Sequence, residues 1–461
     1  MNPIRPSATG RVRLAGARRP LPPPPPPWWR GAAWAAAAIS VLVVLGLWVS
    51  NGALRDEPLT GLGRLTGLLG SDLLLLQVLS MARIPWVERR FGQDALARSH
   101  RLAGFGSCWL MVAHVVLMTA GYAHTDGAGF VGTGWELIVT YPGMLLATAG
   151  TALLVLVVVL SVRAARRRLR YETWHLLHLY AYLGVGLALP HQLWTGADFT
   201  ASTPATVYWW GLYTVALLAV VACRLALPLW RSAYHRLRVD QVVAEAPGVA
   251  SVYLRGHRLE RLPARAGQFL LWRFLDGPGW SRAHPYTLSA RPASDVLRIT
   301  VKDLGDGSRR VRSLRPGTRV LVEGPYGSLT TDRVSGRPPL LIAAGVGITT
   351  IRALLDDLAA PDTVLLYRVR RRADAVFRTE LDDFHRRYGV AITYLEGQRS
   401  PSGSWLPAGL DAPGGLRRLV PDVTVREAYL CGPPAWTAAV RADLRASGMP
   451  ADRIHTERFA W

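Results

Sequence analysis

The chain has almost no lysine, little cysteine and few acids. Of its 54 basic residues only Lys302 is a lysine. Three cysteines, Cys108, Cys223 and Cys431, are spread over 461 residues. They cannot make a disulfide framework. With no CxxC pair and no four-cysteine cluster, a built-in zinc ribbon or iron–sulfur domain is excluded. Asp and Glu number 32, which leaves a formal net charge of +22. Such a charge first suggests a nucleic-acid partner. The arginines argue against one, because they cluster beside apolar segments, where topology determinants stand. What the chain has in quantity is apolar surface. Half of it is hydrophobic, mean hydropathy is +0.16, and there are 17 tryptophans. That balance suits a membrane protein, and the length suits two or three domains.

Residues 1–31 hold Arg5, Arg11, Arg13, Arg18 and Arg19, a six-proline run and no acid. This composition predicts a disordered cytoplasmic tail rather than a signal peptide. Six segments are long and apolar enough to span a bilayer, which takes about 20 residues. They lie roughly at 32–50, 64–84, 100–121, 142–162, 174–194 and 206–229. The second is the weakest, since it contains Arg64 and Asp72. The connections alternate in charge. "RIPWVERRFGQDALARSHR", "RAARRRLR" and "RSAYHRLR" are basic, whereas "AHTDGAGFVGTGWE" and "WTGADFTAST" carry no Lys or Arg. The positive-inside rule then predicts an integral protein of the cell membrane with both termini cytoplasmic.

Beyond the span region, 32–235, the pattern changes. Over 236–332 short alternating segments such as "GQFLLWRFL" and "VLRITVKD" are punctuated by Gly and Pro, which predicts a small antiparallel barrel. Over 333–461, "PLLIAAGVGITTIRALLDDL" reads as a buried strand, a glycine turn and a helix, and further strands follow. That predicts a parallel α/β domain. The expected fold is therefore multi-domain: a six-helix transmembrane bundle, an antiparallel barrel and a parallel α/β domain.

Histidines stand out in the apolar spans. His100 and His114 are 14 residues apart in the third, and His178 and His191 are 13 apart in the fifth. At 1.5 Å per residue, each pair is separated by roughly 20 Å along its helix. If both helices run from cytoplasm to outside, His100 lies level with His178 and His114 with His191. Two cross-helix pairs at two depths meet the requirement of two bis-histidine haems, in which iron satisfies each imidazole lone pair. The competing explanation is helix packing or interfacial placement. His178 and His191 are about 140° out of phase on an ideal helix. A kink at Pro190, or His175 in place of His178, is the alternative arrangement.

The rest of the chain carries nucleotide-type motifs. "HPYTLS" offers His284, Pro285, Tyr286, Thr287 and Ser289 to a flavin: Tyr286 to cover the ring, the hydroxyls to bond it. "VKDLGDGS" contains Lys302 and ends in Gly307 and Ser308, whose N–H groups suit a pyrophosphate. "AAGVGITT" brings Gly345, Gly347, Ile348 and Thr349 to a helix start. "YRVRRRADAVF" places Arg370 and Arg372 where a 2′-phosphate would sit. "CGPP" puts Cys431, Gly432 and Pro433 at a strand end near a nicotinamide, and "ERFAW" offers Phe459 or Trp461 to stack on a flavin.

With these motifs in this order, residues 60–461 resemble the ferric reductase and NADPH oxidase family of transmembrane flavocytochromes. The resemblance implies a six-helix domain with two b-type haems on His100, His114, His178 and His191. It also implies FAD at the "HPYTLS" and "GDGS" motifs and NADPH at "GVGITT" and "LCGPP". Thr350 stands where the family often has proline, and Trp461 where phenylalanine is common. The implied activity is electron transfer from cytoplasmic NADPH, through FAD and haems, to a small-molecule acceptor outside, with oxygen, ferric chelates and quinones all open. Two alternatives are a haem-binding membrane subunit feeding a partner, and a membrane-anchored flavin reductase whose histidines are structural.

Overall fold

The computed structural model describes residues 28–52, 57–162, 171–331, 335–398, 400, 403–412 and 414–457. The proline-rich tail up to residue 27, the basic run "RAARRRLR", Phe459 and Trp461 lie outside the described residues. The chain divides into two compact units, meeting between Pro228 and Leu229.

The first unit is helical: α1 (Trp28–Ser50), α2 (Pro58–Met81), α3 (Pro85–Phe91), α4 (Gln93–Asp126), α5 (Phe130–Thr140), α6 (Met144–Ser161), α7 (Tyr171–Trp194) and α8 (Thr203–Val220). A π-helical turn, Val221–Ala226, joins α8 to α9 (Leu227–His235). Among the described residues, five helical stretches are long and apolar enough to cross a membrane: Gly31–Ser50, Pro58–Met81, Ala95–Asp126, Met144–Ser161 and Thr203–His235. The span expected over 174–194 is the 24-residue helix α7, which is not among those five. Its histidines, Gln192 and Pro190 dilute the apolar run.

α2 starts at residue 58, earlier than its apolar run predicts. Pro58 sits in its first turn, and the Glu57 carboxylate accepts the N–H groups of Leu59 and Thr60, both at 3.0 Å. Two faces of this helix meet different neighbours. Gly63, Gly67 and Gly70 lie against α4, where small residues let two helices approach closely. Gly61, Leu68 and Asp72 face α1 and α8: the Gly61 carbonyl accepts from Trp48 Nε1 at 3.0 Å, and Leu68 joins Val44, Phe199 and Trp209 in one cluster. α2 therefore tolerates its charges through its neighbours. Arg64 pairs with Asp198 at 2.7 Å, and Asp72 is fully buried with hydroxyl partners.

The second unit takes in the end of α9, earlier than the expected boundary at residue 235. Ser232 explains this: its hydroxyl accepts the Val322 N–H at 3.0 Å, and His235 Nδ1 bonds the His257 carbonyl at 3.0 Å. Six antiparallel strands follow in two sheets, β1–β2–β5 (Arg238–Ala246, Val249–Arg255, Val296–Lys302) and β4–β3–β6 (His284–Thr287, Phe269–Phe274, Val320–Tyr326). The sheets are linked by isolated bridges, Arg238 to Arg319 and Leu288 to Ile299, rather than by a closed ladder. Trp272, Leu254, Leu270, Leu297 and Ile299 fill the space between them. Fully burying each such side chain contributes about 1.5–3 kcal/mol.

A parallel five-stranded sheet comes next, in the order β11–β10–β7–β8–β9. Its strands are β7 (Pro339–Ala344), β8 (Val364–Arg368), β9 (Ala391–Leu395), β10 (Glu427–Cys431) and β11 (Ile454–Thr456). α10 (Asp306–Val311) follows β5, and α11 (Ile348–Leu358), α12 (Arg378–Tyr388) and α13 (Pro434–Ala446) connect the parallel strands. The chain order reverses at β7, between β10 and β8. Open α/β sheets bind ligands at such a switch point, outside the carboxyl ends of the strands.

Candidate functional site: two histidine pairs and a nucleotide crevice

In the membrane-type unit, α4 and α7 bring four histidines together in twos. His100 faces His178 with ring centroids 5.8 Å apart, and His114 faces His191 at 6.2 Å. His175 packs instead against Trp174, at 6.5 Å. Three of the four rings are oriented through Nδ1. His114 Nδ1 bonds the Gly63 carbonyl at 2.8 Å, His191 Nδ1 meets Thr195 Oγ1 at 2.6 Å, and His178 Nδ1 meets Ser161 Oγ at 3.3 Å. Such a bond fixes the ring and leaves Nε2 as the nitrogen to coordinate. Gly67 makes room for this, since a Cβ there would come within 2.6 Å of His114 Nδ1. Gly143, at φ 81°, lets the chain pass the backbone of His191. Gly63, Gly67, Ser161 and Thr195 were not singled out in the sequence. The four-residue spacing of Gly63 and Gly67 is the one signal that points toward them.

An iron held by two imidazoles needs metal–nitrogen bonds of about 2 Å, plus roughly 1 Å from each nitrogen to its ring centre, so ring centres about 6 Å apart. Both pairs stand at that separation. Among the described residues no group of three or more His, Cys, Asp and Glu gathers as a metal site. A metal at either pair therefore needs its remaining donors from a ligand such as a porphyrin.

In the second unit, the flavin-type motifs lie side by side. His284, Pro285, Tyr286 and Thr287 form β4, paired with β3 so that Trp272 Nε1 donates to the Tyr286 carbonyl at 2.9 Å. The rings of His284 and Tyr286 are stacked, 5.9 Å apart and 14° from parallel. Burial pushes the Tyr286 phenol up to about 12, so it stays a neutral donor at working pH. Gly307 lies against this strand, for a Cβ there would come within 2.7 Å of His284 Cε1. Ser308 caps its own turn, accepting the Leu304 N–H and donating to the Gly305 carbonyl, both at 2.8 Å. Lys302 is exposed at the end of β5. Ser289 closes the motif just past β4. It is fully buried, and its hydroxyl accepts from Thr300 at 2.7 Å, which ties the motif to β5.

At the switch point the two nicotinamide-type motifs touch. Gly345 has φ 54°, and Gly347 packs so closely on the Cys431 carbonyl that a Cβ has no room. Ile348 and Thr349 open α11, and Thr349 Oγ1 donates to the Val346 carbonyl at 2.9 Å. Tyr367, buried on β8, ties the loops together. Its hydroxyl donates to the Gly345 carbonyl and accepts the Val376 N–H, both at 3.2 Å. Gly432 and Pro433 carry the chain from β10 into α13. Cys431 is wholly buried with Sγ 3.4 Å from Thr350 Oγ1, and burial pushes its thiol up to about 12. A thiol raised that far is neutral at working pH.

The arginines after β8 divide by partner. Arg368 is spent on the carbonyls of Val369, Leu395, Gly397, Gln398 and Trp405. Arg371 pairs with Asp374 at 2.9 Å. Arg372 lies over the Tyr394 ring at 4.4 Å and 3.7 Å from Glu396. Arg370 is exposed and forms no ion pair among the described residues, although its charge reaches Asp374.

Known proteins match both parts. Residues 66–189 match the family described as ferric reductase like transmembrane component. About half of the chain is 32% identical, over 237 residues, to the ferredoxin reductase component of a 3-ketosteroid-9-alpha-monooxygenase from Mycolicibacterium smegmatis, and spans 65% of that protein. A flavohemoprotein of Chromobacterium violaceum is 31% identical over 252 residues, of which the match spans 61%. Among solved structures, the flavohem-like FAD/NAD binding domain of a nitric oxide dioxygenase from Vibrio cholerae aligns with 24% identity and a TM-score of 0.41. That alignment covers 49% of this chain and 98% of that one. The chain thus carries a ferric reductase like transmembrane component at residues 66–189, and about half of it is similar to a ferredoxin reductase component and to a flavohemoprotein, of each of which it spans less than two thirds.

Proposed function

We propose that the protein is a transmembrane oxidoreductase that carries electrons from cytoplasmic NADPH, by way of FAD and two b-type haems, to an acceptor on the far side of the cell membrane. The observation that carries this is the pairing of His100 with His178 and of His114 with His191, at separations that suit one iron each. When bound, flavin supplies the exchange of a two-electron hydride for single electrons, and haem iron carries them singly.

This chain's residues do the rest. Tyr286 and Thr287 line the flavin site, with Gly307 and Ser308 offering backbone N–H groups to its pyrophosphate. Gly345 and Gly347 admit the nicotinamide nucleotide's phosphates at the start of α11, and buried Cys431 and Gly432 wall the site. Arg370 and Arg372 hold the 2′-phosphate, which sets NADPH above NADH. Thr195, Ser161 and the Gly63 carbonyl keep the imidazoles turned toward the metal. The acceptor is a small molecule such as a ferric chelate or oxygen. The names of the relatives, reductase components of oxygenases, favour a second reading in which a partner protein takes the electrons.

The test is the haem and flavin content of the purified full chain, with its reduced-minus-oxidised spectrum after NADPH. Two low-spin b-type haems per FAD are expected. A haem-to-flavin ratio near zero or one contradicts the proposal.

A further inference from the structure

The π-helical turn between α8 and α9 brings one arginine to the apolar bundle. A single π-turn closes its bond over five residues instead of four, which changes the face that the following side chains take. Here the Leu227 N–H reaches back to the Ala222 carbonyl. Within the turn Val221 and Leu225 are exposed, whereas Arg224 is half-buried. Its guanidinium lies 3.5 Å from the Tyr182 hydroxyl of α7, about one helical turn beyond His178. Arg224 makes no ion pair among the described residues, and its charge reaches the rings of both His100 and His178.

The two histidine pairs therefore differ in their surroundings. Among the described residues no arginine charge reaches the rings of His114 and His191. Arg64, which follows Gly63, is paired with Asp198 at 2.7 Å. The Nδ1 atoms differ as well. His114 Nδ1 meets the Gly63 carbonyl at 2.8 Å, and His191 Nδ1 meets Thr195 Oγ1 at 2.6 Å. The Thr195 hydroxyl donates to the His191 carbonyl at 2.7 Å, so toward the ring it accepts. In the other pair the His178 contact with Ser161 is longer, at 3.3 Å, and His100 Nδ1 is turned toward the Gln77 backbone without completing a hydrogen bond. An imidazole whose Nδ1–H is accepted is a more basic ligand and favours the oxidised metal. A nearby uncompensated cation favours the reduced metal, the more so where the dielectric is low. Both differences push the two pairs apart in the same sense.

We propose that Arg224 stabilises an electron at the His100–His178 pair, which makes that centre the more readily reduced of the two and the one that holds an electron between transfers. The change is one electron taken up by iron, Fe(III) to Fe(II), with reduced flavin as the donor; no bond forms or breaks and no proton moves. The order of potentials rests on the haem function proposed above and adds to it. Transfer from the His100–His178 centre to the His114–His191 centre runs uphill, and consumption of electrons by the acceptor draws it forward.

The experiment is a potentiometric titration of the purified full chain, followed through the haem absorption bands. Haem content is measured on the same sample, so failure of the haem assignment and failure of the order of potentials are told apart. Two one-electron waves are expected. His114→Leu, which spares the His100–His178 centre, should leave a single wave that coincides with the upper one. Arg224→Gln should lower the upper wave by about tenfold in the one-electron equilibrium, roughly 59 mV, and leave the lower wave in place. Arg224→Lys, which keeps the charge, should restore most of the shift, and Thr195→Val should raise the lower wave. Both waves unmoved in Arg224→Gln overturn the role of Arg224. A single wave in His114→Leu that coincides with the lower one overturns the order, and that variant tests it even if Arg224→Gln fails to hold haem.

Discussion

Gly67 of α2 lies directly against the ring of His114 on α4: one added carbon would come within 2.6 Å of Nδ1. The imidazole keeps its bond to the Gly63 carbonyl and its place opposite His191 because residue 67 has no side chain. Gly67→Ala is therefore expected to turn or displace His114 with little change to the rest of the helix. In the haem-loaded protein, about half of the low-spin haem signal should be lost or altered while the flavin signal is kept. Retention of the full wild-type spectrum would show that His114 is not held as described.

A second expectation concerns nucleotide choice. Arg372 is shared with Tyr394 and Glu396, whereas Arg370 is exposed and forms no ion pair among the described residues. Arg370→Ala should cost more of the NADPH preference than Arg372→Ala, on the order of tenfold in kcat/KM for NADPH with NADH little changed. That size corresponds to about 1.4 kcal/mol, in the range of a charge-assisted contact. Equal kcat/KM for both nucleotides in the wild-type protein removes the assignment.

Much of this was open to reading in the sequence, and the exceptions have physical reasons. Helical rise alone brings residue 100 level with 178 and 114 with 191, because 14 and 13 residues span nearly the same length. Phase was the harder question. The rings meet although 178 and 191 are out of phase on an ideal helix, in a helix that contains Pro190 and passes close to Gly143. Motif order located the glycine turns, since backbone conformation at Gly345 is a local property. Partners distant in sequence were not legible. Nothing near Ser289 announces Thr300, nothing near Arg368 announces five carbonyls, and nothing near Asp72 announces Ser40 and Tyr208.

The buried thiol of Cys431 gives a pH dependence. Its value is raised by burial from the ordinary 9.0 to about 12. An acid with a raised native value favours folding below the unfolded value and loses that contribution as pH climbs toward the native one. Stability of the second unit should thus be flat through neutral pH and fall between about pH 9 and 12. Cys431→Ala should reduce the slope there, as read by denaturant melts of the full chain followed through flavin release. A slope unchanged in the variant counts against a buried neutral thiol.

Arg298, on β5, is buried and pairs with Glu380 of α12 at 2.6 Å, and Arg352 of α11 bonds the same carboxylate. Burial alone would raise the Glu380 carboxyl, but the Arg352 and Arg298 guanidiniums outweigh it and hold it below the usual range. The stabilisation is present at neutral pH and is lost as pH falls through the depressed native value. Glu380→Ala leaves Arg298 buried without its partner and should destabilise the second unit by about 3 kcal/mol. Chemical denaturation of wild type and variant at pH 7 gives the difference, and a change within about 0.5 kcal/mol of zero would place the pair among energetically neutral contacts.

The measurement closest to the central claim uses His114→Leu, an apolar replacement that a merely packing histidine would tolerate. The reduced-minus-oxidised spectrum is recorded after NADPH, beside reduction of an acceptor supplied on the far side of the membrane. The account predicts loss of one of two haems, an intact flavin that NADPH still reduces, a reduced centre at His100 and His178, and no electrons delivered across. Unchanged haem content with normal transmembrane turnover would contradict it.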